Sequence, residues 1–249
     1  METSKSRICL TTYFDENFSE VGNLCLKSIE KYARAHNYEV ELLNHIKSDR
    51  PASWNKILVI QELFNKGYDF VFWIDADAIL VRFDQDIKLE IEEDKDIYLV
   101  SIQFPKGEAP GLGVLLIKNS LWSRKILNDL WSMVDYKSHV GWENGAFVDY
   151  FGLINFIGQE DKKRFYKNVQ FNNPKFDLLK KVKWLDQSWH HWHWFFKKNK
   201  KPIINHYSIA PYFLRLLLMS KDAYSSSLIT KKELLINLLK VLKKILWKT

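Results

Sequence analysis

The stretch at residues 71–81, Val-Phe-Trp-Ile-Asp-Ala-Asp-Ala-Ile-Leu-Val, limits the possible folds of this chain more than any other segment. The apolar run 70–74 predicts a buried strand, and a second apolar run, 78–81, follows the carboxylates of Asp75 and Asp77. A carboxylate beside a buried strand is costly unless a cation compensates its charge. Side chains two positions apart on an extended chain point to the same side, so these carboxylates can converge on one divalent cation. The alternative is a pair of aspartates in a turn between two strands.

Strand and helix patterns alternate along the amino-terminal part of the chain. Residues 7–14 are predicted to form a strand, 21–36 a helix with apolar residues at helical spacing, and 38–43 a second strand. Ser53 is a candidate N-cap for a helix that ends at Gly67 and leads into the apolar strand. This order predicts a mostly parallel α/β sheet, which binds ligands at the carboxyl ends of its strands.

The later part of the chain continues the same pattern. In order, we predict a strand at 97–103, a loop at 105–113, a strand at 114–117, a helix at 120–134, a short helix at 145–151 and a strand at 202–205. The chain has 249 residues, 47% of them hydrophobic, which is enough for one core. We therefore assign 1–220 to a single α/β catalytic domain and 230–249 to a carboxyl-terminal amphipathic helix.

Charge and cysteine content indicate the compartment and the kind of partner. The net charge of +7 favours anionic partners such as nucleotide phosphates or an acidic lipid surface. Cys9 and Cys25 have no metal-binding or redox spacing and are expected as buried thiols in a reducing compartment. The amino terminus lacks the apolar core of a signal peptide, and no apolar run has the roughly 18 residues of a membrane span. We expect a cytoplasmic protein.

Polar residues near two predicted element ends are candidates for binding a nucleotide donor. Thr11, Thr12 and Tyr13 lie at the end of the first predicted strand, where they can meet a nucleotide. Lys56 lies in the first turn of a predicted helix, where its charge opposes the helix dipole. It is therefore either a solvated surface charge or a phosphate ligand.

Two small residues and two polar ones follow in the middle of the chain. Gly111 and Gly113 permit close approach of the backbone to a ligand, but their Gly-x-Gly pattern does not open a helix and is not a dinucleotide-binding fingerprint. Glu143 and Asn144 come just before the short helix predicted at 145–151. They are either catalytic groups or helix-capping residues.

The segment 184–194 is rich in tryptophan and histidine. Its histidines lack the helical i, i+4 spacing and the cysteine partners of the usual zinc sites, so an aromatic wall around a sugar or a base is the better interpretation. Trp189 and Trp192 are the candidate acceptor contacts. His206 follows the strand at 202–205 and is either a third metal ligand or a structural histidine.

The carboxyl terminus has the pattern of an amphipathic helix. Thr230 and Glu233 resemble a capping box at its start. Eight residues fall on one broad apolar face: Leu234, Leu235, Leu238, Leu239, Val241, Leu242, Ile245 and Leu246. Opposite them lie Asn237, Lys240, Lys243 and Lys244. The pattern fits either a helix on an anionic membrane surface or a helix packed on the catalytic domain with its lysines in water.

Taken together, these motifs resemble the galactosyl- and xylosyltransferase family of GT-A fold glycosyltransferases, which includes fungal mannan and plant xyloglucan enzymes. The resembling residues are Trp54 with Lys56, 73–78, 111–119 followed by Trp122, 143–146 and 204–207. They cover roughly residues 7–212.

The resemblance implies a site and a reaction. Asp75, Asp77 and His206 would hold Mn²⁺ (or Mg²⁺) on the diphosphate of a nucleotide-sugar donor such as a UDP-sugar, with Asp75 contacting the donor as well. Glu143 and Asn144 would face the reacting sugar, and a hexose or pentose would pass to a glycan or lipid-linked acceptor with retention of configuration. The chain departs from the family at 112–114, where Asn-Thr-Gly is usual, and at 208–211, where Gly and Lys are usual.

Two other functions fit some of the same residues. Paired aspartates and a basic surface also serve metal-dependent phosphate chemistry, as in a nucleotidyltransferase. A non-enzymatic protein that binds membranes or nucleic acid would use the net positive charge and the lysine-rich carboxyl terminus, but it leaves the buried aspartates unexplained. We expect a nucleotide-sugar donor, no nucleic acid, and a peripheral position on the cytosolic face of a membrane.

Overall fold

The computed structural model describes residues 6–104, 107–139, 141–153, 175–192, 201–208 and 210–246. Within these ranges the strands are β1 Ile8–Thr11, β2 Glu39–Val40, β3 Phe70–Ile74, β4 Ala78–Leu80, β5 Ile97–Phe104, β6 Gly107–Lys118, β7 Val182–Leu185, β8 His191–Trp192 and β9 Ile204–His206. The α-helices are α1 Ser19–His36, α2 Asn55–Asn65, α3 Leu121–Ser132, α4 Trp142–Tyr150, α5 Phe176–Leu179, α6 Tyr212–Ser225 and α7 Lys231–Leu246.

The central sheet has six strands in the order β2-β1-β3-β6-β5-β7. β1 pairs in parallel with β2 and β3, and β5 pairs in parallel with β7. β6 runs antiparallel to both of its neighbours, β3 and β5. Five strands therefore share one direction, which confirms the predicted mostly parallel α/β sheet.

The central strand β3 is buried on both faces. Phe72 points into a core formed with α1, α6 and the second sheet, whereas Trp73 points into a core formed with α2, α3 and α4. Alternate residues of a strand face opposite sides, so a strand covered on both sides must be apolar throughout. This explains the continuous apolar run that the sequence shows at 70–74.

The prediction of a loop at 105–113 is wrong for those residues of the range that the structure describes. Residues 107–113 belong to β6, where Gly111 is the partner of Val100 and Pro110 the partner of Ser101. A shift in register between Leu99 and Val100 accommodates the irregular composition of this strand. Glycine marks a close approach inside a strand as well as a turn, and the local pattern alone does not distinguish the two.

The helix predicted from the Ser53 cap also begins differently. A 3-10 turn, Ala52–Trp54, precedes α2, and no side chain caps it. Ser53 lies inside that turn, and its hydroxyl is a buried group that receives no hydrogen bond within the described residues. Likewise, α4 begins at Trp142, so Glu143 and Asn144 lie in its first turn and not before it.

A second sheet, β4-β9-β8, brings the late part of the chain to the aspartates. β9 runs antiparallel to β4, with His206 opposite Ala78, and parallel to β8, with Trp192 opposite His206. Ala78 directly follows Asp77 in the chain. The pairing of β4 with β9 therefore places His206 beside the carboxylate of Asp77.

The carboxyl-terminal helix α7 packs on the rest of the molecule. The amide of Glu233 donates to Thr230 Oγ1 at 3.2 Å, and the amide of Thr230 donates to Glu233 Oε2 at 2.7 Å, which confirms the capping box. Val241 is buried, and Leu234 packs against the core that contains α1 and α6. Among the described residues, no helix combines the length and the apolar character that crossing a membrane requires.

Candidate active site: a cluster of carboxylates and histidines

The two aspartates converge through a turn, not along an extended chain. β3 ends at Ile74 and β4 begins at Ala78, and the amide of Ala78 donates to the carbonyl of Asp75 at 2.8 Å. The turn links the two strands, and both carboxylates lie close to one another beside His206. The alternative raised from sequence, a turn between strands, is thus the local structure, and it is compatible with a shared cation.

Asp75, Asp77 and His206 form one cluster. Each offers a ligand atom, and these three atoms lie within 4.8 Å of one another. Nε2 of His206 is 2.9 Å from Asp77 Oδ1 and 3.9 Å from Asp75 Oδ2. The structure brings together residues that are 129 positions apart in sequence. Two carboxylates and an imidazole are a donor set that suits Mn²⁺, and the carboxylates also suit Mg²⁺.

Two contacts to its Oδ1 atom set the orientation of the Asp75 side chain. The indole Nε1 of Trp73 donates to it at 2.6 Å, and Nζ of Lys56 lies 3.2 Å away. The amide of Asp75 donates to the carbonyl of Gly113 at 2.7 Å, which ties the turn to β6. Oδ2, the oxygen on the side of His206, is therefore the atom of this carboxylate presented to the cluster.

Asp77 is buried and contacts the imidazole of His206 and the guanidinium of Arg215. Its Oδ1 faces His206, and its Oδ2 lies 3.0 Å from an Nη1 atom of Arg215 on α6. Burial alone would raise the pKa of the Asp77 carboxyl, but His206 and Arg215 outweigh it and lower the pKa below its ordinary value. Asp77 is thus held as the carboxylate. No sequence motif indicated Arg215, and sequence reasoning missed this contact.

Lys56 is not a solvated surface charge, and its predicted contact with a donor phosphate stays a prediction. The side chain is buried, and its Nζ donates to the carbonyl of Leu112 at 2.9 Å and to Glu143 Oε1 at 3.0 Å. Burial works against the charged form, but Asp75 and Glu143 prevail and raise the pKa of the Lys56 ammonium above its ordinary value. Lys56 is an internal cation that joins two acidic residues.

Glu143 and Asn144 lie in the first turn of α4 and contact residues next to the cluster. Glu143 is buried, and among the described residues its Oε2 atom has no hydrogen-bond partner. Asn144 Oδ1 accepts from the amide of Leu112 at 3.4 Å. Asn144 thus contacts β6 directly, whereas Glu143 contacts Lys56, whose Nζ reaches the same residue of β6. The first turn of α4 therefore supports the cluster. Their predicted position against the sugar stays a prediction.

Two glycines make room for two histidines. A Cβ atom on Gly113 would lie 2.5 Å from Cε1 of His206 and 2.9 Å from Asp75 Oδ2. One on Gly111 would lie 2.6 Å from Nδ1 of His190. In the structure the groups that lie close to both glycines are side chains of the site, and the predicted approach to a ligand stays a prediction.

His190 is the second histidine of the cluster. Its Nε2 is 2.6 Å from Nδ1 of His206, and the indole Nε1 of Trp192 is 3.0 Å from the same Nδ1. Burial, followed by the charge of His206, lowers the pKa of His190 well below its ordinary value. Sequence reasoning considered His190 only for zinc. His193, considered with it, lies outside the described residues.

The remaining candidates occupy different environments. Trp189 is only 3% exposed and packs edge-on against Phe72 in the core, so its placement gives no support to an acceptor contact. Trp192 is partly exposed beside His206. The hydroxyl of Thr11 is buried and donates to the carbonyl of Glu41 at 2.7 Å. Thr12 and Tyr13, which follow it, are also buried, and a donor-binding role for these three residues stays a prediction.

Sequence comparisons support the class that the motifs indicated. Residues 5–99 match the model of the galactosyl transferase GMA12/MNN10 family. A protein of Oryza sativa subsp. japonica named "Probable glycosyltransferase 6" is 32% identical over 117 residues, which cover 43% of this chain and 24% of that protein. The chain thus spans about a quarter of the length of this relative. Both matches are to glycosyltransferases and confirm the resemblance.

Solved structures show the fold. A glycosyltransferase involved in the glycosylation of the major capsid of PBCV-1 superimposes with a TM-score of 0.62 at 11% identity, covering 87% of this chain and all of that one. The apo-form glycosyltransferase GlyE of Streptococcus pneumoniae TIGR4 gives a TM-score of 0.52 at 14% identity, covering 90% of this chain and 64% of that one. The chain has the GT-A fold.

Proposed function

We propose that this chain, whose fold and amino-terminal family match are those of glycosyltransferases, is a metal-dependent enzyme that transfers a hexose or pentose from a nucleoside diphosphate sugar. The acceptor would be a glycan or a lipid-linked glycan, and the configuration at the transferred carbon would be retained, as the resemblance implies. The observation that carries the proposal is the cluster of Asp75, Asp77 and His206 at the junction of the two sheets.

The donor set of the cluster fits Mn²⁺ or Mg²⁺. Asp75, Asp77 and His206 would hold the ion, which when bound neutralises the charge that develops on a departing nucleoside diphosphate. The chain itself positions these ligands. Trp73 and Lys56 hold one oxygen of Asp75, and Arg215 holds one oxygen of Asp77, so that each carboxylate presents its other oxygen to the cluster.

A screen of nucleotide sugars tests the activity directly. The purified chain is incubated with UDP- and GDP-sugars and Mn²⁺, and release of nucleoside diphosphate is measured. We expect release with one donor class, its loss in EDTA, and its loss in Asp77→Asn, which removes the charge that faces His206 and Arg215. The melting temperature of Asp77→Asn controls for folding.

The same screen separates the alternatives. Release of pyrophosphate from a nucleoside triphosphate, without reaction of any nucleotide sugar, would instead indicate a nucleotidyltransferase. Full activity of Asp77→Asn, or metal-independent release, would contradict the metal-dependent mechanism.

We further propose that α7 places the enzyme on an anionic membrane surface, at the cytoplasmic face. The structure divides the broad apolar face that the sequence predicted. Leu234 and Val241 face the body of the molecule, whereas four leucines point outward and are 51–69% exposed: Leu235, Leu239, Leu242 and Leu246. We call these four the leucine stripe.

Charge around the leucine stripe favours an anionic surface as its partner. Lys231, Lys232 and Lys243 are exposed, and at 100° per residue they lie on the two borders of the stripe. Lys240 and Lys244 instead pair with Glu20 of α1, at 3.0 Å and 2.6 Å. An exposed apolar stripe with lysines at its borders suits the headgroup region of an acidic bilayer.

Sedimentation with vesicles tests the membrane proposal. We expect the chain to bind phosphatidylserine-containing vesicles and not phosphatidylcholine vesicles, with each bordering lysine contributing about 1 kcal/mol. Leu239→Gln with Leu242→Gln should abolish binding and leave donor turnover unchanged, since both side chains are exposed and neither belongs to the cluster. Tyr224→Gln, an exposed position on α6 outside the stripe, is the matched control. Concentration-dependent dimers that the leucine variant abolishes would show that a second copy covers the stripe, and would overturn the proposal.

A further inference from the structure

We propose that His190 is a positioning residue that accepts a hydrogen bond from Nδ1 of His206 and so leaves Nε2 of His206 free to bind the divalent cation. The inference rests on the proposed function, because it concerns how the chain prepares one ligand of the cluster. It adds a residue that is not itself a ligand and that no sequence motif indicated.

The contact between the two histidines is short and enclosed. Nε2 of His190 is 2.6 Å from Nδ1 of His206, with ring centroids 4.9 Å apart. His190 is 1% exposed and His206 3% exposed, so water does not compete for these nitrogens. A hydrogen bond in such surroundings fixes both the ring orientation and the position of the proton.

The position of the proton on His206 decides whether the cation can bind. In this structure Nδ1 also faces the indole of Trp192, which can only donate. With Trp192 donating, the proton of a neutral His206 lies on Nε2, which faces Asp77 Oδ1 at 2.9 Å. That arrangement stabilises the carboxylate but leaves no lone pair on Nε2 for a cation.

Cation binding through Nε2 therefore requires the other tautomer. The proton must then lie on Nδ1, and a hydrogen-bond acceptor must face it. Nε2 of His190 lies within hydrogen-bond distance of Nδ1, and it accepts when the proton of His190 lies on its own Nδ1, on the side of Gly111. In that state His190 and Trp192 favour opposite tautomers of His206, and His190 favours the one that can bind a cation.

The fold holds His190 firmly in this place. It follows the 3-10 turn Gln187–Trp189, which is capped by Asp186 through the amide of Ser188 at 2.8 Å. The carbonyl of Ser188 accepts from the amide of Ile203 at 2.7 Å, which ties the turn to the chain just before β9. Gly111 on β6 closes the other side, since its missing Cβ would overlap the His190 ring.

Titration with Mn²⁺ in the presence of UDP tests the role of His190. His190→Leu removes the acceptor but keeps an apolar side chain in the buried site, and we expect an affinity about 10- to 100-fold weaker, the usual loss for a partner of a metal-binding histidine. His190→Gln restores an acceptor oxygen and should recover most of the affinity. Trp192→Phe removes the competing donor and should bind Mn²⁺ at least as tightly as the unchanged chain.

A spectroscopic measurement reports the tautomer itself. In ¹⁵N-histidine spectra of the unchanged chain, His206 should be protonated at Nε2 without a cation and at Nδ1 with Mg²⁺ and UDP. His190→Leu should keep the Nε2 proton under both conditions. Melting temperatures of all variants control for folding.

The outcomes separate this inference from the proposed function. If His190→Leu binds Mn²⁺ as the unchanged chain does, or if His206 keeps one tautomer throughout in that chain, the role of His190 is overturned and the enzyme proposal stands. If the unchanged chain binds no divalent cation with UDP, the metal-dependent function itself fails.

Discussion

At the scale of single residues, Lys56 is the buried cation that links two acidic residues of the candidate site. One ammonium group contacts the carboxylates of Asp75 and Glu143 and the carbonyl of Leu112, all within 3.2 Å. A buried charge with these partners is stabilised, but removal of one partner leaves an uncompensated group. Lys56 and Glu143 are therefore placed to influence the orientation and charge of Asp75.

The exchange Glu143→Gln tests this arrangement. The amide fits the same space but no longer balances the charge of Lys56. The Lys56 ammonium should then attract the Asp75 carboxylate more strongly and displace the Oδ2 atom that faces the cluster. We expect a loss of about 1–3 kcal/mol in unfolding free energy, measured by denaturant titration. We also expect kcat to fall by more than about twofold, or 0.4 kcal/mol in barrier height.

The double variant Lys56→Met with Glu143→Leu is the matched control for Glu143→Gln. It should regain stability relative to Glu143→Gln, because the buried ammonium is removed together with Glu143, but it should not regain activity, because Asp75 then lacks its contact with Lys56. Unchanged kcat in Glu143→Gln would mean that Glu143 has no part in the reaction.

Gly113→Ala tests the space beside His206. The added methyl group would lie 2.5 Å from His206 and 2.9 Å from Asp75, both of which are held by other contacts. We expect destabilisation of about 1–3 kcal/mol from overpacking and a larger relative loss of Mn²⁺ affinity, measured by calorimetry. The same exchange at Gly145, which approaches His139 and Tyr136 and not the cluster, should leave the Mn²⁺ affinity unchanged.

At the scale of elements, α7 is held to α1 by charge as well as by apolar packing. Glu20 at the start of α1 receives Lys240 and Lys244 from α7, and Tyr212 of α6 also contacts it at 3.3 Å. Lys27 pairs with Glu233 at 2.7 Å at the other end of the interface. Two acidic residues therefore orient α7 so that the leucine stripe points outward.

The attachment of α7 should weaken in acid. Burial by itself would raise the pKa of Glu20, but Lys244 and Lys240 outweigh it and lower the pKa below its ordinary value of 4.5. A carboxyl with a lowered folded-state pKa stabilises the folded state above its unfolded pKa, and this stability is lost as the pH falls through the folded value. Glu233, whose pKa is lowered to about 2 by Lys27 and the Thr230 cap, stays ionised longer.

Hydrogen-exchange protection factors of the α7 amides give the measurement. They should be constant from neutral pH to about pH 5 and should fall relative to those of β3 below about pH 4. Glu20→Gln should show the reduced protection already at neutral pH. If the protection factors of α7 instead stay constant down to the lowest pH at which the protein is folded, apolar packing alone holds the helix.

At the scale of the whole molecule, the candidate metal site joins two sheets. Asp75 follows β3 of the central sheet, Asp77 precedes β4 of the second sheet, and His206 lies in β9. Each carboxylate is also tied to a different helix, through Lys56 of α2 and Arg215 of α6. A ligand at this junction would bind only when both halves of the fold are in place.

Thermal unfolding should show that a ligand bound at this junction stabilises the whole fold. Mn²⁺ with UDP at about 100 times the dissociation constant should stabilise the folded state by about 2.7 kcal/mol and raise the melting temperature. EDTA should reverse the shift. Asp77→Asn should show no shift, and a shift of equal size in that variant would place the ligand elsewhere in the molecule.

Much of this architecture follows from local patterns. The apolar run of β3, the helical spacing of α1 and the Thr230–Glu233 capping box each arise from interactions between near neighbours in sequence, which a pattern encodes directly. The predicted loop, which the structure replaces with a strand at 107–113, shows the limit. Its glycines are required by side chains that come from distant parts of the chain.

By itself, the sequence determined the kind of sheet, the aspartate pair and the family resemblance, because these depend on periodicity and on motifs that are continuous in the chain. Only the tertiary structure decided which groups surround the aspartates. Arg215, Lys56 and His190 approach them through strand pairing and helix packing over long separations, and a difference of one ångström decides whether such groups form ion pairs or hydrogen bonds. The direction of the leucine stripe was also open in sequence, since the helix has the same periodicity whichever side packs. In the structure the buried Val241 and the ion pairs with Glu20 mark the side that faces the body.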